Sequence, residues 1–363
     1  MSVVSSPTSR RTVGGLLAAS FRDFSAVWLL GFLVVMFGIT ATSTFLTTTT
    51  LQIVLTDQVT VGLLALALLV PLAAEKFDVS VAAVLSFAMV LTSTLAINGY
   101  GLAESSAIAL VCCGILGAIN GFLIVKLHIN PFIATLGSSQ VILAMTLLIS
   151  KNGQLIPVLP DWFVSMTQGT YYGVNLDVFY LFGVAIILWY LLEHTPIGRS
   201  LFATGGNPEA ARLAGVGTGG LIFGSFVVSA LIAGFAGVLL VSKYGLYSQE
   251  YGPGYLFPAF AAVFFGATQF KGRPNVWGTL LAMYVLAVAV AGLQLTFFGN
   301  EYWITPLFNG AALLIAVALA SRKQLGKAYR RLRQGKPTEG DLQAAQVGSD
   351  GSEPVPAARQ PGS

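Results

Sequence analysis

Charge is what this sequence has least of. Lys, Arg, Asp and Glu make up 9% of its 363 residues, against 55% hydrophobic, where a soluble domain carries about 25% charged residues. So apolar a chain cannot clothe itself in a hydrated surface, which excludes a water-soluble globule and leaves lipid as its solvent. Cysteine is scarce too. Cys112 and Cys113 are neighbours inside an apolar run, which excludes a disulfide framework and metal-ligand spacing, so both read as small core hydrophobes. The two histidines, His128 and His194, fall at the ends of apolar runs, where an interfacial place is expected rather than catalysis. No G-x-x-x-x-G-K-S/T string occurs, so the chain carries no P-loop for nucleotide hydrolysis. No catalytic residue, metal site or bound cofactor is expected. The net charge of +4 lies mostly beyond Ser321, a flanking charge rather than a nucleic-acid footprint.

What is present is apolar length. Runs near the roughly 20 residues that a membrane helix needs lie at about 25–45, 56–74, 79–97, 106–125, 131–150, 178–192, 221–241, 256–270, 275–294 and 303–320. An all-α integral membrane bundle of about ten transmembrane helices is therefore expected. The sixth and eighth runs are short, and the eighth reads as either spanning or re-entrant. With the N-terminus in the cytoplasm and the chain alternating, 17 of the 19 basic residues fall inside; only Lys151 and Lys243 fall outside. That asymmetry obeys the positive-inside rule and puts both termini in the cytoplasm. Arg10, Arg11, Arg22 and Asp23 precede the first run without a cleavage site, so residues 1–24 read as a cytoplasmic segment. Residues 25–320 form the membrane domain. Residues 321–363 form a tail, basic and then rich in Gly, Pro, Gln and Ser, which is expected to be disordered. Ten helices divide into two halves of five, so an internal repeat would be inverted; a faint echo links 79–97 and 256–270.

The polar residues inside the runs are amides and hydroxyls: Asn120, Thr135, Gln140, Gln294 and Asn309. Such groups suit a neutral polyhydroxy solute in transit, or glue helices together. Paired, deeply buried carboxylates would favour a proton- or sodium-driven carrier, and none is evident. A membrane enzyme should cluster His, Asp or Arg at one interface, and this chain does not.

The longest inside loop, about 193–220, carries the most information. Asn207-Pro208-Glu209 reads as a helix start, with Asn as N-cap, Pro at the first helical position and Glu in the first turn. Gly215 is a good stop. A helix of about seven residues on the cytoplasmic face is expected, a docking element that needs a groove.

Here the chain resembles the binding-protein-dependent ABC permeases of the ribose and monosaccharide type. Their E-A-A-x-x-x-G signature stands as Glu209, Ala210, Ala211 and Gly215, after Thr195-Pro196-x-Gly198-Arg199 and Gly205-Gly206-Asn207. Asn120-Gly121, Asn130-Pro131-Phe132-Ile133-Ala134-Thr135-Leu136-Gly137 and the Gly272–Gly278 turn are similar to that family as well. Two stretches depart from it. Glu75-Lys76-Phe77-Asp78-Val79-Ser80-Val81-Ala82 stands where the family has Gly-Gly-Ile-Asp-Leu-Ser-Val-Gly, and Thr268-Gln269-Phe270-Lys271 interrupts its glycine-rich stretch.

The resemblance implies a permease subunit in the bacterial plasma membrane. It would work beside a second permease copy, identical or not, take a sugar from an extracytoplasmic binding protein, and be driven by separate ATPase subunits that hold the ATP and magnesium. Gly206, Asn207, Pro208, Glu209, Ala210, Ala211, Arg212 and Gly215 would form the ATPase-coupling helix. Asp78, Ser80, Asn120, Pro131, Phe132, Thr135 and Gln140 would lie along the translocation pathway. The cargo stays open between a monosaccharide and a polyol, nucleoside, branched-chain amino acid or furanone.

Overall fold

A computed structural model describes residues 25–318, apart from 271, 272, 299, 300, 302 and 316. The N-terminal segment 1–24, the tail 321–363, Lys271 and Gly272 lie outside the described residues.

The body, which ends at Val317, is helical. In chain order the helices are α1 (Ser25–Thr40), α2 (Thr48–Asp57), α3 (Val59–Ala73), α4 (Val81–Ile97), α5 (Leu102–Val125), α6 (Pro131–Ser150), α7 (Asp161–Gln168), α8 (Leu176–His194), α9 (Pro196–Gly206), α10 (Pro208–Leu213), α11 (Thr218–Tyr244), α12 (Pro253–Thr268), α13 (Val276–Leu293) and α14 (Ile304–Ile315). A π-helical turn, Gln294–Phe298, extends α13. Among the described residues, six helical stretches are long and apolar enough to cross a membrane: Thr48–Ala73, Leu102–Val125, Pro131–Ser150, Leu176–His194, Thr218–Tyr244 and Val276–Thr296. The remaining expected segments coincide with four shorter apolar helices, α1, α4, α12 and α14. A 17-residue helix rises only about 25 Å, less than the roughly 30 Å of hydrocarbon.

The loop 151–177 is more structured than its Pro-rich sequence suggests. It holds α7 and a two-stranded hairpin, β1 (Thr170–Tyr171) and β2 (Val174–Asn175). The hairpin turns on Tyr172 and Gly173, with φ of 49° and 78°, the left-handed pair that a two-residue turn demands.

Helix α3 is apolar on every side, so it is buried on every side: Leu63, Leu64, Ala65, Leu66, Ala67 and Leu69 have no exposed surface. Around it pack α8, α11, α12 and α13. The close crossings use small residues, as membrane helices do. A β-carbon on Gly117 of α5 would stand 2.6 Å from the Phe226 carbonyl of α11, and one on Gly234 of α11 would stand 2.8 Å from Cys113. Cys113 is fully buried and Cys112 partly so, both as free thiols. By contrast α5 and α6 turn broad apolar faces outward, with Val111, Ile115, Ile133, Val141 and Leu148 more than half exposed, as lipid-facing helices would.

Candidate functional site

The loop 193–220 folds as two short helices, not one. Helix α9 was not anticipated, although its start is written in the sequence. Thr195 Oγ1 accepts from Gly198 N at 3.4 Å and Pro196 takes the first helical position. Helix α10 starts as the residues dictate: Asn207 Oδ1 accepts from Glu209 N at 3.1 Å and Ala210 N at 2.9 Å, with Pro208 next in line. Gly215, at φ 83°, ends the turn in the left-handed conformation that glycine reaches without strain. Of the predicted coupling residues, Ala211 alone faces inward, 6% exposed. Gly206, Asn207, Pro208, Ala210 and Gly215 are exposed. Glu209 and Arg212 pair with each other at 3.6 Å, their side chains 79% and 72% exposed. So open a pair contributes only about 0.3–0.5 kcal/mol. Leu213 stands 84% exposed at the tip.

This helix pair rests on the core. Gly205, at the end of α9, lies so close to the end of α3 that a β-carbon would stand 2.7 Å from the Ala73 carbonyl. A second tie joins the loop to the segment before α13. Arg273 pairs with Glu193 at 2.5 Å and lies 4.5 Å over the Phe202 ring. Trp189, His194 and Trp277 line a cavity of about 440 Å³ beside that pair, an aromatic group of the kind found where helices meet the membrane interface.

Just past the end of α3, four of the predicted pathway residues come together as a buried polar knot. Asp78 is 2% exposed. Its Oδ1 accepts from Ser80 N at 3.0 Å and Ser80 Oγ at 2.6 Å. Its Oδ2 accepts from Ser229 Oγ of α11 at 2.9 Å. Asn120 Nδ2 of α5 donates to Ser80 Oγ at 2.9 Å, while Asn120 Oδ1 has no partner. Val79 N donates to Thr135 Oγ1 of α6 at 3.0 Å. Three donors on one carboxylate satisfy it inside the bundle, and the knot thereby ties α4 to α5, α6 and α11. Ser229 was missed because nothing separates it, as a sequence, from the other serines of α11. Pro131 and Phe132 open α6, where Asn130 Oδ1 caps Phe132 N at 3.0 Å. The Phe132 and Gln140 side chains are exposed, outside the knot.

A charged cluster that the sequence did not reveal sits at the far end of α11. Lys243 Nζ lies 3.2 Å from Asp57 Oδ1 and 3.9 Å from Asp177 Oδ2, and donates to the Thr56 carbonyl at 3.0 Å. The Asp177 side chain is 2% exposed and that of Asp57 56%, so of the two carboxylates that share this lysine only Asp177 is buried. Over its 27 residues α11 rises about 40 Å, which puts this cluster and the α9–α10 pair at opposite ends of the molecule.

The family described as branched-chain amino acid transport system / permease component matches residues 50–318. The chain belongs to that permease family. Curated relatives agree with it. The permease is 29% identical to the fructose import permease protein of Rhizobium meliloti, over 78% of this chain and 81% of the relative. It is 29% identical to the D-allose transport system permease protein of Escherichia coli, over 83% and 92%, and 27% identical to the ribose import permease protein of Bacillus subtilis, over 72% and 81%. No solved structure matches the permease.

Both departures from the family pattern have a structural counterpart. Gln269 is buried, and its Oε1 accepts from Ala26 N and Ser25 Oγ, both at 3.0 Å, which caps the start of α1. Glu75, where the family has glycine, sits at φ 54°.

Proposed function

We propose that this chain is the membrane-spanning subunit of an ATP-driven importer that carries a monosaccharide across the bacterial plasma membrane. The observation that carries the reading is the capped, solvent-exposed α10, whose partner helix α9 is pressed onto the end of the most buried helix. An ATPase that grips α10 moves α9, and through Gly205 it moves α3 and the Asp78 knot beside it. The open Glu209–Arg212 pair and the bare Leu213 give a docking ATPase both polar and apolar contacts. The membrane part has no P-loop, so ATP and magnesium belong to that partner. The fructose, allose and ribose permeases among its relatives favour a monosaccharide, delivered by an extracytoplasmic binding protein.

Ten crossings with both ends in the cytoplasm complete the proposal, together with a second permease copy, identical or homologous, against the apolar α5–α6 side. The ten apolar helices and the 17-to-2 distribution of basic residues support it. An inverted five-helix repeat is favoured by the matching lengths of Thr48–Ala73 and α11, 26 and 27 residues, and of α4 and α12, 17 and 16 residues.

The test is uptake into vesicles that contain the permease, its ATPase and its binding protein. Labelled D-fructose, D-allose or D-ribose should accumulate only with ATP. Glu209→Lys should stop uptake while the protein stays in the membrane. Accumulation that an uncoupler collapses but ATP depletion leaves intact would overturn the importer reading. ATP-driven uptake of a branched-chain amino acid in place of any sugar would change the cargo.

A further inference from the structure

At the α11 end that carries Lys243, α3, α12, α13 and α14 enclose a cavity of about 170 Å³. A cavity of about 150 Å³ accepts a six-membered ring, so the space matches one small cyclic solute. Five polar side chains line it: Asp57, Gln58, Tyr255, Thr305 and Asn309. Met283 and Leu286 of α13 supply an apolar wall.

Two of the amides stand free. Asn309 is only 7% exposed, yet its side chain makes no hydrogen bond among the described residues. An accessible amide without a protein partner is free to bond a ligand or water. Gln58 is the N-cap residue of α3 but makes no side-chain cap bond, and its amide has no other hydrogen bond among the described residues. Asp57 is fixed from behind by Lys243. Each of these groups accepts or donates to hydroxyls, and the apolar wall suits the C–H face of a sugar ring.

The backbone marks the same place. The long stretch Thr48–Ala73 breaks at Gln58 into α2 and α3, α12 contains Pro258, and α13 runs into a π-helical turn whose Gln294 Nε2 lies 3.4 Å from Thr305 Oγ1. Interrupted helices and π-turns concentrate at transport sites because they free backbone and side-chain groups for a ligand.

We propose that this cavity is a monosaccharide subsite at the entrance of the pathway, with Asn309 and Gln58 as the amides that hydrogen-bond the sugar hydroxyls. The proposal rests on the importer reading above. It moves the sugar contacts away from the Asp78 carboxylate, which is already satisfied by Ser80 and Ser229.

The experiment uses the full chain with its ATPase and binding protein in proteoliposomes. The probes are D-ribose, D-fructose, D-allose and the monodeoxy analogues of whichever sugar is carried, each at saturating binding protein. A site that hydrogen-bonds a hydroxyl rejects the analogue lacking it, by roughly tenfold or more. Asn309→Leu and Gln58→Leu should each bring the parent sugar down to the rate of one particular deoxy analogue, with little further loss for that analogue. Uptake unchanged in both variants overturns the subsite alone. So does loss of the parent and every analogue by one common factor, since the amides would then only hold helices together. If the unaltered protein carries none of the three sugars, the monosaccharide reading falls and the subsite falls with it.

Discussion

Gly205 of α9 lies against the carbonyl of Ala73 at the end of α3, with room for a hydrogen and none for a β-carbon, which would stand 2.7 Å from that oxygen. The contact is backbone against backbone, so neither side can swing away as a flexible side chain would. Gly205→Ala should therefore push α9 off α3. Uptake should fall at least tenfold while ATP hydrolysis persists, so that the ATP spent per solute rises. An unchanged ratio of ATP to solute in this variant would show that force reaches the membrane helices by another route.

Glu75 makes the opposite case, a side chain where glycine would be at ease. It is exposed, and its φ of 54° costs an L-residue about 1–2 kcal/mol. Glu75→Gly relieves that strain but adds freedom to the unfolded chain. The balance should be a gain of a few tenths to about 1 kcal/mol, read as a raised temperature of half-inactivation in detergent. A lowered temperature would mean that the Glu75 side chain holds a contact of its own.

The apolar runs were legible in the sequence because hydropathy over some twenty residues is a local property, and every expected run has a helix within the described residues. The caps were legible for the same reason: Asn207-Pro208 is complete within three residues. Helix α9 escaped notice although Thr195-Pro196 gives the same kind of signal, since its short amphipathic stretch reads as loop beside the stronger start at Asn207. The sites themselves were legible only in part. Asp78 and Ser80 are neighbours in the chain and stood out together, but Ser229 is 151 positions from Asp78. Asp57, Asp177 and Lys243 are also scattered along the chain, and each looks like an ordinary helix-end charge. Helix packing makes such clusters, and no spacing in the chain announces them.

Lys243 is the hinge of that last cluster. Its removal would leave Asp57 and Asp177 facing each other without a cation, the Asp177 side chain being 2% exposed. Breaking a buried pair from one side costs about 3–5 kcal/mol, and Lys243→Met should lose about 3 kcal/mol of that, because Asp57 is half open to solvent. Adding Asp177→Asn should restore much of the loss. Half-inactivation temperatures of the single and double variants check this, and a double variant less stable than Lys243→Met would mean that Asp177 has a role beyond the pair.

The Asp78 knot allows a sharper measurement, because its bonds are few and known. Ser229→Ala removes one of three donors to the carboxylate and should cost about 1–2 kcal/mol. Asp78→Ala strands both the Ser229 and the Ser80 hydroxyl in an apolar setting, and a charged acceptor is lost as well, so about 3 kcal/mol or more is expected. The two changes share one hydrogen bond, that of 2.9 Å between Ser229 Oγ and Asp78 Oδ2, and so should not add. The double variant should be no more than a few tenths of a kcal/mol less stable than Asp78→Ala alone, because Ser229 has nothing left to lose. Strict additivity across the four proteins would mean that this bond does not form in the membrane, and that α4 and α11 are held together by the close approach of small residues alone.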